Sequence, residues 1–296
     1  MKSFRYNYSQ LPIFLLILVL PVLVQCGQSR VENVLVEDLL PEWTFTKGIE
    51  GPAIDMNGNL YAVNYAEQGT IGVVSPDGEA SLFIKLPEGS VGNGIRFDKE
   101  GNMYIADYKK HNILKVSSST KEISVFAHDS TMNQPNDIAI SPVSEFLYAS
   151  DPNWKDSTGK LWMVDRLGKV ILLEANMGTT NGIEVSPDGK KLYVNESIQR
   201  NVWVYDILND GSITNKRLFM KFEDFGMDGM RCDSAGNLYI TRHGKGTLAI
   251  FSPQGELVEE IPLKGKLCSN VVLSSDEKKA YITMADRGMF EIANLM

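Results

Sequence analysis

Histidine and cysteine are scarce in this chain, with three of each in 296 residues: His111, His128 and His243, and Cys26, Cys232 and Cys268. Their scatter excludes a zinc site of the usual His/Cys spacing and a disulfide scaffold. Only 12 prolines are present, and 43% of the residues are hydrophobic against 22% charged, which excludes a disordered or collagen-like chain and describes a folded soluble domain. Positive charge is in deficit. With 29 Lys and Arg against 37 Asp and Glu, the formal charge is −8, which argues against nucleic acid or an anionic membrane surface as the main partner. There is no Gly-x-Ser-x-Gly elbow and no glycine-rich phosphate loop opening a helix, so a serine-esterase route and a nucleotide cofactor are both disfavoured. Length leaves open two ordinary domains or one large β unit.

One long apolar run is present, from Leu11 to Val24, behind Lys2 and Arg5. A basic start and an apolar core shorter than a membrane span read as a secretory signal over residues 1–25. Leu23-Val24-Gln25-Cys26 resembles a bacterial lipobox, departing from it at Gln25, where a small residue is usual. The expectation is an exported protein, periplasmic or extracellular, with Cys26 as a lipidated N-terminus; simple secretion and an uncleaved anchor are the alternatives. Any membrane contact would then run through a lipid on Cys26. Residues 26–296 are expected to form one monomeric domain, with Cys232 and Cys268 as buried thiols.

A repeat organises that domain. It reads E-G-P-A-I-D-M-N-G-N-L-Y from Glu50, N-G-I-R-F-D-K-E-G-N-M-Y from Asn93 and N-D-I-A-I-S-P-V-S-E-F-L-Y from Asn136. Further copies are N-G-I-E-V-S-P-D-G-K-K-L-Y from Asn181, D-G-M-R-C-D-S-A-G-N-L-Y from Asp228 and N-V-V-L-S-S-D-E-K-K-A-Y from Asn270. The starts are 43, 43, 45, 47 and 42 residues apart, a mean of 44, and every copy ends in tyrosine: Tyr61, Tyr104, Tyr148, Tyr193, Tyr239 and Tyr281. Short apolar runs separated by Asp/Ser/Pro/Gly turns give two hairpins per unit, the pattern of a four-stranded propeller blade. The fold class is therefore all-β: a six-bladed β-propeller with almost no helix. Too few residues follow Asn270 for a complete blade, so the stretch Val31 to Lys47 is expected to supply its outer strand and close the ring.

The first strand of a blade lines the central channel, so the column Glu50, Asn93, Asn136, Asn181, Asp228 and Asn270 should form a ring. Two carboxylates and four amides buried together carry a large desolvation cost and a like-charge conflict. One divalent cation resolves both, and calcium suits a flexible all-oxygen shell better than magnesium. Asn and Asp before Gly also occur for turn chemistry alone, but that does not call for Glu50 ahead of Gly51-Pro52. Asn93, Asn136 and Asn270 are expected to face substrate. A second ring, three residues after each tyrosine, comprises Asn64, Asp107, Asp151, Glu196, Arg242 and Met284. With Trp154 and His243 it is expected to wall a pocket above the ion, so Asp151, Arg242 and His243 are further candidate substrate contacts. His243 is the histidine that could act as a base; His111 and His128 should be surface groups.

In combination these motifs resemble the senescence-marker-protein/gluconolactonase (regucalcin-like) family, over about Glu42 to Ile292. The resemblance implies a six-bladed propeller with one calcium ion in the channel and lactone hydrolysis as the activity. It also implies Glu50, Asn181 and Asp228 as metal ligands, Asn136 as a contact to ion or substrate, and Asp228 as base or nucleophile. Gln134 stands two residues before Asn136, where the animal gluconolactonases carry a substrate-binding arginine; this departure bears on aldonolactone specificity and not on the metal site. A phosphotriesterase- or arylesterase-type activity on the same ion, and a non-catalytic calcium-binding propeller that binds a partner, are the alternative functions.

Overall fold

A computed structural model of the chain describes residues 1–3 and 34–295. The expected signal segment and Cys26 lie outside the described residues. From Val34 onward the chain forms 24 strands, numbered β1 to β24 in chain order, and no helix among the described residues; they make six four-stranded antiparallel sheets. The innermost strands are β2 (Ala53–Ile54), β6 (Gly92–Phe97), β10 (Ile138–Ile140), β14 (Thr180–Val185), β18 (Met230–Cys232) and β22 (Cys268–Leu273). Each touches the next in that order and β2 touches β22, so the sheets are the blades of a closed six-bladed propeller.

The tyrosine column explains why the repeat ends as it does. Tyr61, Tyr104, Tyr148, Tyr193, Tyr239 and Tyr281 lie on the second strand of each blade and pack into the hydrophobic cluster shared with the following blade. In the Asp-x-x-Gly-Asn-x-Tyr copies the hydroxyl donates to the aspartate that opens the turn: Tyr61 to Asp55 at 3.1 Å, Tyr104 to Asp98 at 3.2 Å, Tyr239 to Asp233 at 3.4 Å. The same carboxylate accepts from the Asn59, Asn102 or Asn237 amide. One residue type thus joins hairpin to blade interface, because tyrosine combines a large apolar body with one polar tip.

Ring closure follows the expected route. β1 (Val36–Asp38) pairs antiparallel with β24 (Met289–Asn294), Val36 opposite Ala293, as the outer strand of the last blade. Arg287 reinforces the seam: it donates to both oxygens of Asp38 at 2.9 Å, to Glu42 at 2.8 Å and to the fully buried Glu291 at 2.7 Å. The Arg287→Ala variant is expected to lose about 1–3 kcal/mol in urea unfolding, because Glu291 then keeps a buried charge with one partner fewer. Arg217→Ala, which breaks an exposed pair with Asp206, is expected to change stability by less than about 0.5 kcal/mol.

Candidate active site

The anchor column converges as the repeat requires, but its members divide into two groups. Glu50, Asn93, Asn136, Asn181 and Asp228 line a cavity of about 550 Å³, together with Trp154, Ser197, Met227 and His243. A second lobe of about 370 Å³ shares Glu50, Asn93, Asn136, Trp154, Asp228 and His243 and adds Lys47, Asn64, Gln68, Tyr108 and Gln134. Asn270, expected to face substrate, lines neither lobe. It is fully buried, and its amide donates to Glu50 Oε2 at 3.0 Å and to Asp137 Oδ2 at 3.4 Å, which makes it a strut behind the site.

Glycine after the anchor is explained by proximity. Gly94, Gly182 and Gly229 have ordinary negative φ, so left-handed turn geometry is not the reason they are glycine. A Cβ on Gly182 would stand 2.3 Å from the Asp228 carbonyl oxygen, and one on Gly229 would overlap the Asn270 amide. The inner strands crowd at the axis, and only the absence of a side chain lets them pass.

Several donors are held with their oxygens free. The Asn181 amide donates to Ser197 Oγ at 3.0 Å, which leaves Oδ1 available. Asn136 Oδ1 is buried without a partner among the described residues. Glu50 accepts from the Gly51 amide and from Asn270 on Oε2 alone. The Asp228 backbone is pinned by its N–H donating to the Thr241 carbonyl at 3.0 Å and by the Asn195 amide donating to its own carbonyl at 2.5 Å.

Beneath these groups runs a charged network that lies outside the anchor column. Asp137, which replaces the usual glycine after its anchor, pairs with Arg96 at 3.3 Å; Arg96 reaches Glu184 at 3.5 Å and Glu184 pairs with Arg231 at 3.0 Å. Arg96, Glu184 and Arg231 all stand three residues after an anchor, a column that a second pass along the repeat would have singled out. Counting formal charges, Glu50, Asp137, Glu184 and Asp228 face Arg96 and Arg231, which leaves two negative charges uncompensated. Burial pushes Glu50 up to about 7, with the charge of Asp137 adding to the effect. Burial likewise raises Asp228 well above the carboxylate range, with the charge of Glu50 adding and the hydrogen bond with Asn181 opposing. Both shifts come first from burial and then from the repulsion of neighbouring carboxylates.

A divalent cation fits this arrangement. The donor set is all oxygen, the missing charge is two, and an amide oxygen is buried unsatisfied. Among the described residues no three acidic, His or Cys side chains come together, so two carboxylates and amide oxygens would have to hold it.

Of the second ring only Asn64 lines the cavity as expected, with Trp154 and His243 beside it; the other members take a different place. Asp107 and Asp151 are fully buried, and Asp151 accepts from the Asn133 N–H at 2.9 Å, the Gln134 N–H at 2.6 Å and the Trp162 indole at 2.9 Å. Asp107 accepts from the Val91 N–H at 3.1 Å, and Glu196 from the Gly178 N–H at 2.8 Å. Arg242, also buried, donates to the Gly226 and Asp224 carbonyls at 3.4 and 2.6 Å and stacks on Phe222. Met284 is buried and apolar, and in its blade Glu291 takes over, accepting from the Lys264 and Gly265 N–H groups. These residues reach the expected face, but they are spent clamping the loop by which the chain enters each blade. Asp151 and Arg242 therefore do not line the cavity. His243 does, with its pKa lowered by burial against the opposing charge of Asp286, so the imidazole is neutral at pH 7.

The family model described as SMP-30/Gluconolactonase/LRE-like region matches residues 49–286. The chain belongs to this family. A gluconolactonase of Zymomonas mobilis is 30% identical over 242 residues, 70% of this chain and 67% of its own length. A pentonolactonase of Haloferax volcanii is 25% identical over 154 residues, spanning 51% of this chain and 53% of its own. Regucalcin of Agrobacterium tumefaciens, described as a calcium-binding protein, shares the fold with a TM-score of 0.77 at 20% identity, over 89% of this chain and 94% of its own.

The acidity of Glu50 has a measurable consequence in this family member. An acid whose pKa rises on folding, here from 4.5 to about 7, makes the ion-free protein lose stability as pH climbs through that interval. Asp38, held near 2 by Arg287, has finished titrating below it. Calorimetry in chelator is expected to show Tm falling between about pH 4.5 and 7.

Proposed function

We propose that the protein hydrolyses lactones with the help of one divalent cation, preferably calcium, held at the propeller axis by Glu50, Asn136, Asn181 and Asp228. The observation that carries this reading is the uncompensated pair of negative charges on the floor of an accessible cavity. Its context is a family whose named members include a gluconolactonase and a pentonolactonase. A cation bound there supplies Lewis-acid polarisation of the lactone carbonyl and stabilisation of the charge that develops on its oxygen.

The chain's own residues do the rest. Asp228 would stand by the reacting carbonyl carbon and take the proton of an attacking water, passing it to the ring oxygen as the acyl C–O bond breaks. Alternatively it attacks that carbon itself, expelling the ring oxygen, and water then hydrolyses the resulting acyl anhydride to the hydroxy acid and free Asp228. Its acidity is restored once a positive charge stands beside it, so it is a weak base, and its value lies in position more than in basicity. That position is set through the backbone, by Asn195 and Thr241. The neutral His243 can hydrogen bond the departing ring oxygen as the lactone opens to a hydroxy acid.

Asp228→Asn is expected to lower kcat for lactone hydrolysis at saturating calcium by at least about a hundredfold while the fold persists by circular dichroism. Hydrolysis by the wild type should vanish in chelator and return with calcium. A wild type with no cation-dependent hydrolysis of any lactone overturns the reading in favour of a non-catalytic propeller. Faster turnover of aryl esters or phosphotriesters than of lactones overturns it in favour of that chemistry on the same residues.

A further inference from the structure

Large apolar side chains are normally exposed singly, and a group of them around one cavity marks a ligand surface. Here three of them converge from three different blades on the lobe beside Asp228. Trp154 comes from the hairpin between β11 (Leu147–Asn153) and β12 (Thr158–Val164) and is 42% exposed. Ile198, 51% exposed, comes from the turn between β15 (Lys191–Glu196) and β16 (Asn201–Ile207). Phe225, also 51% exposed, stands on the loop entering β18, and Met227 completes the ledge beneath it. Phe225 is held in its place under strain. Its φ is +42°, a conformation that costs a bulky residue energy, and strain of this kind persists only where surrounding structure enforces it. Arg242 enforces it, gripping the carbonyls of Asp224 and Gly226 on either side of Phe225.

The opposite lobe has another character. It shares Trp154 with the first but otherwise presents the polar or charged side chains of Lys47, Asn64, Gln68, Tyr108 and Gln134 in place of Phe225, Ile198 and Met227. A bare lactone ring over Asp228 would leave the apolar ledge in water. We infer that the substrates of this protein are lactones carrying an alkyl or aryl substituent, seated on Phe225, Ile198, Trp154 and Met227, in preference to polyhydroxylated sugar lactones. The inference rests on the lactonase reading and deepens it. Burying each methylene of a substituent on this ledge should raise kcat/KM, since transfer of apolar surface from water favours the bound state in proportion to the area covered.

The test is a steady-state series on the full-length protein at saturating calcium: γ-butyrolactone, γ-valerolactone, γ-hexalactone, γ-nonalactone and D-glucono-δ-lactone. The expected result is kcat/KM rising roughly threefold per added methylene until the ledge is covered, with D-glucono-δ-lactone below γ-nonalactone. In the double variant F225S/I198S the ratio of kcat/KM for γ-nonalactone over γ-butyrolactone should fall at least about tenfold. The ratio compares two substrates on one protein, so it is insensitive to how much of the variant folds. A profile flat in chain length, a preference for D-glucono-δ-lactone, or an unaltered ratio in F225S/I198S overturns this inference and leaves the lactonase reading standing. Hydrolysis of no lactone overturns both.

Discussion

Everything near the axis of this propeller answers to one constraint: four carboxylates and two guanidiniums are buried where six inner strands meet. Two of the acids are neutralised by Arg96 and Arg231, with Glu184 shared between them. The other two, Glu50 and Asp228, have no side-chain counter-charge, and burial beside each other holds both as weaker acids than usual. A fold gains nothing from such a pair by itself, because an uncompensated buried charge destabilises. Its presence is intelligible as a site that is completed from outside, and the amide oxygens around it supply the uncharged donors that completion needs.

That chemistry demands a rigid frame, and the frame is redundant by design. Each blade interface carries a tyrosine, which in three blades also ties down its own turn, and five of the six blade entrances are clamped by a buried group at the end of the second strand, the sixth by Glu291. Acceptors such as Asp151 satisfy the backbone N–H groups of a tight crossing, which would otherwise be buried without partners. Arg242 plays the same part with the opposite charge, gripping carbonyls in place of N–H groups. The polar residues of the upper face thus serve two purposes that look alike in composition. Some bind loops, and some are left free to bind a ligand.

That distinction is where sequence reading reached its limit. Asn64, Asp107, Asp151, Glu196 and Arg242 lie at one offset in the repeat, and the offset correctly implies one face of the propeller. It does not say whether a carboxylate on that face points into the cavity or back into a loop, because that depends on which N–H groups the entering loop presents. Asn270 illustrates the same point inside the anchor column. It has the right register and the right chemistry, yet it turns toward Glu50 and Asp137 and leaves the cavity wall to its neighbours. Asp137 and the charges at Arg96, Glu184 and Arg231 stand one and three residues after an anchor, but the repeat alone does not tell that this neighbouring column also meets at the axis.

The sequence by itself determined the number of blades, the residues that stand at the axis and the strand that closes the ring, since periodicity and strand alternation are local properties that repeat. Tertiary structure alone decided which polar side chains are consumed by loops, how many charges are cancelled beneath the site, and which apolar residues gather at its mouth. Trp154 and Ile198 stand 44 residues apart at nearly the same offset of adjacent repeats, whereas Phe225 comes from an entry loop at a different offset. Only the packing of the blades brings all three to one cavity, because the period along the chain relates the first two and not the third.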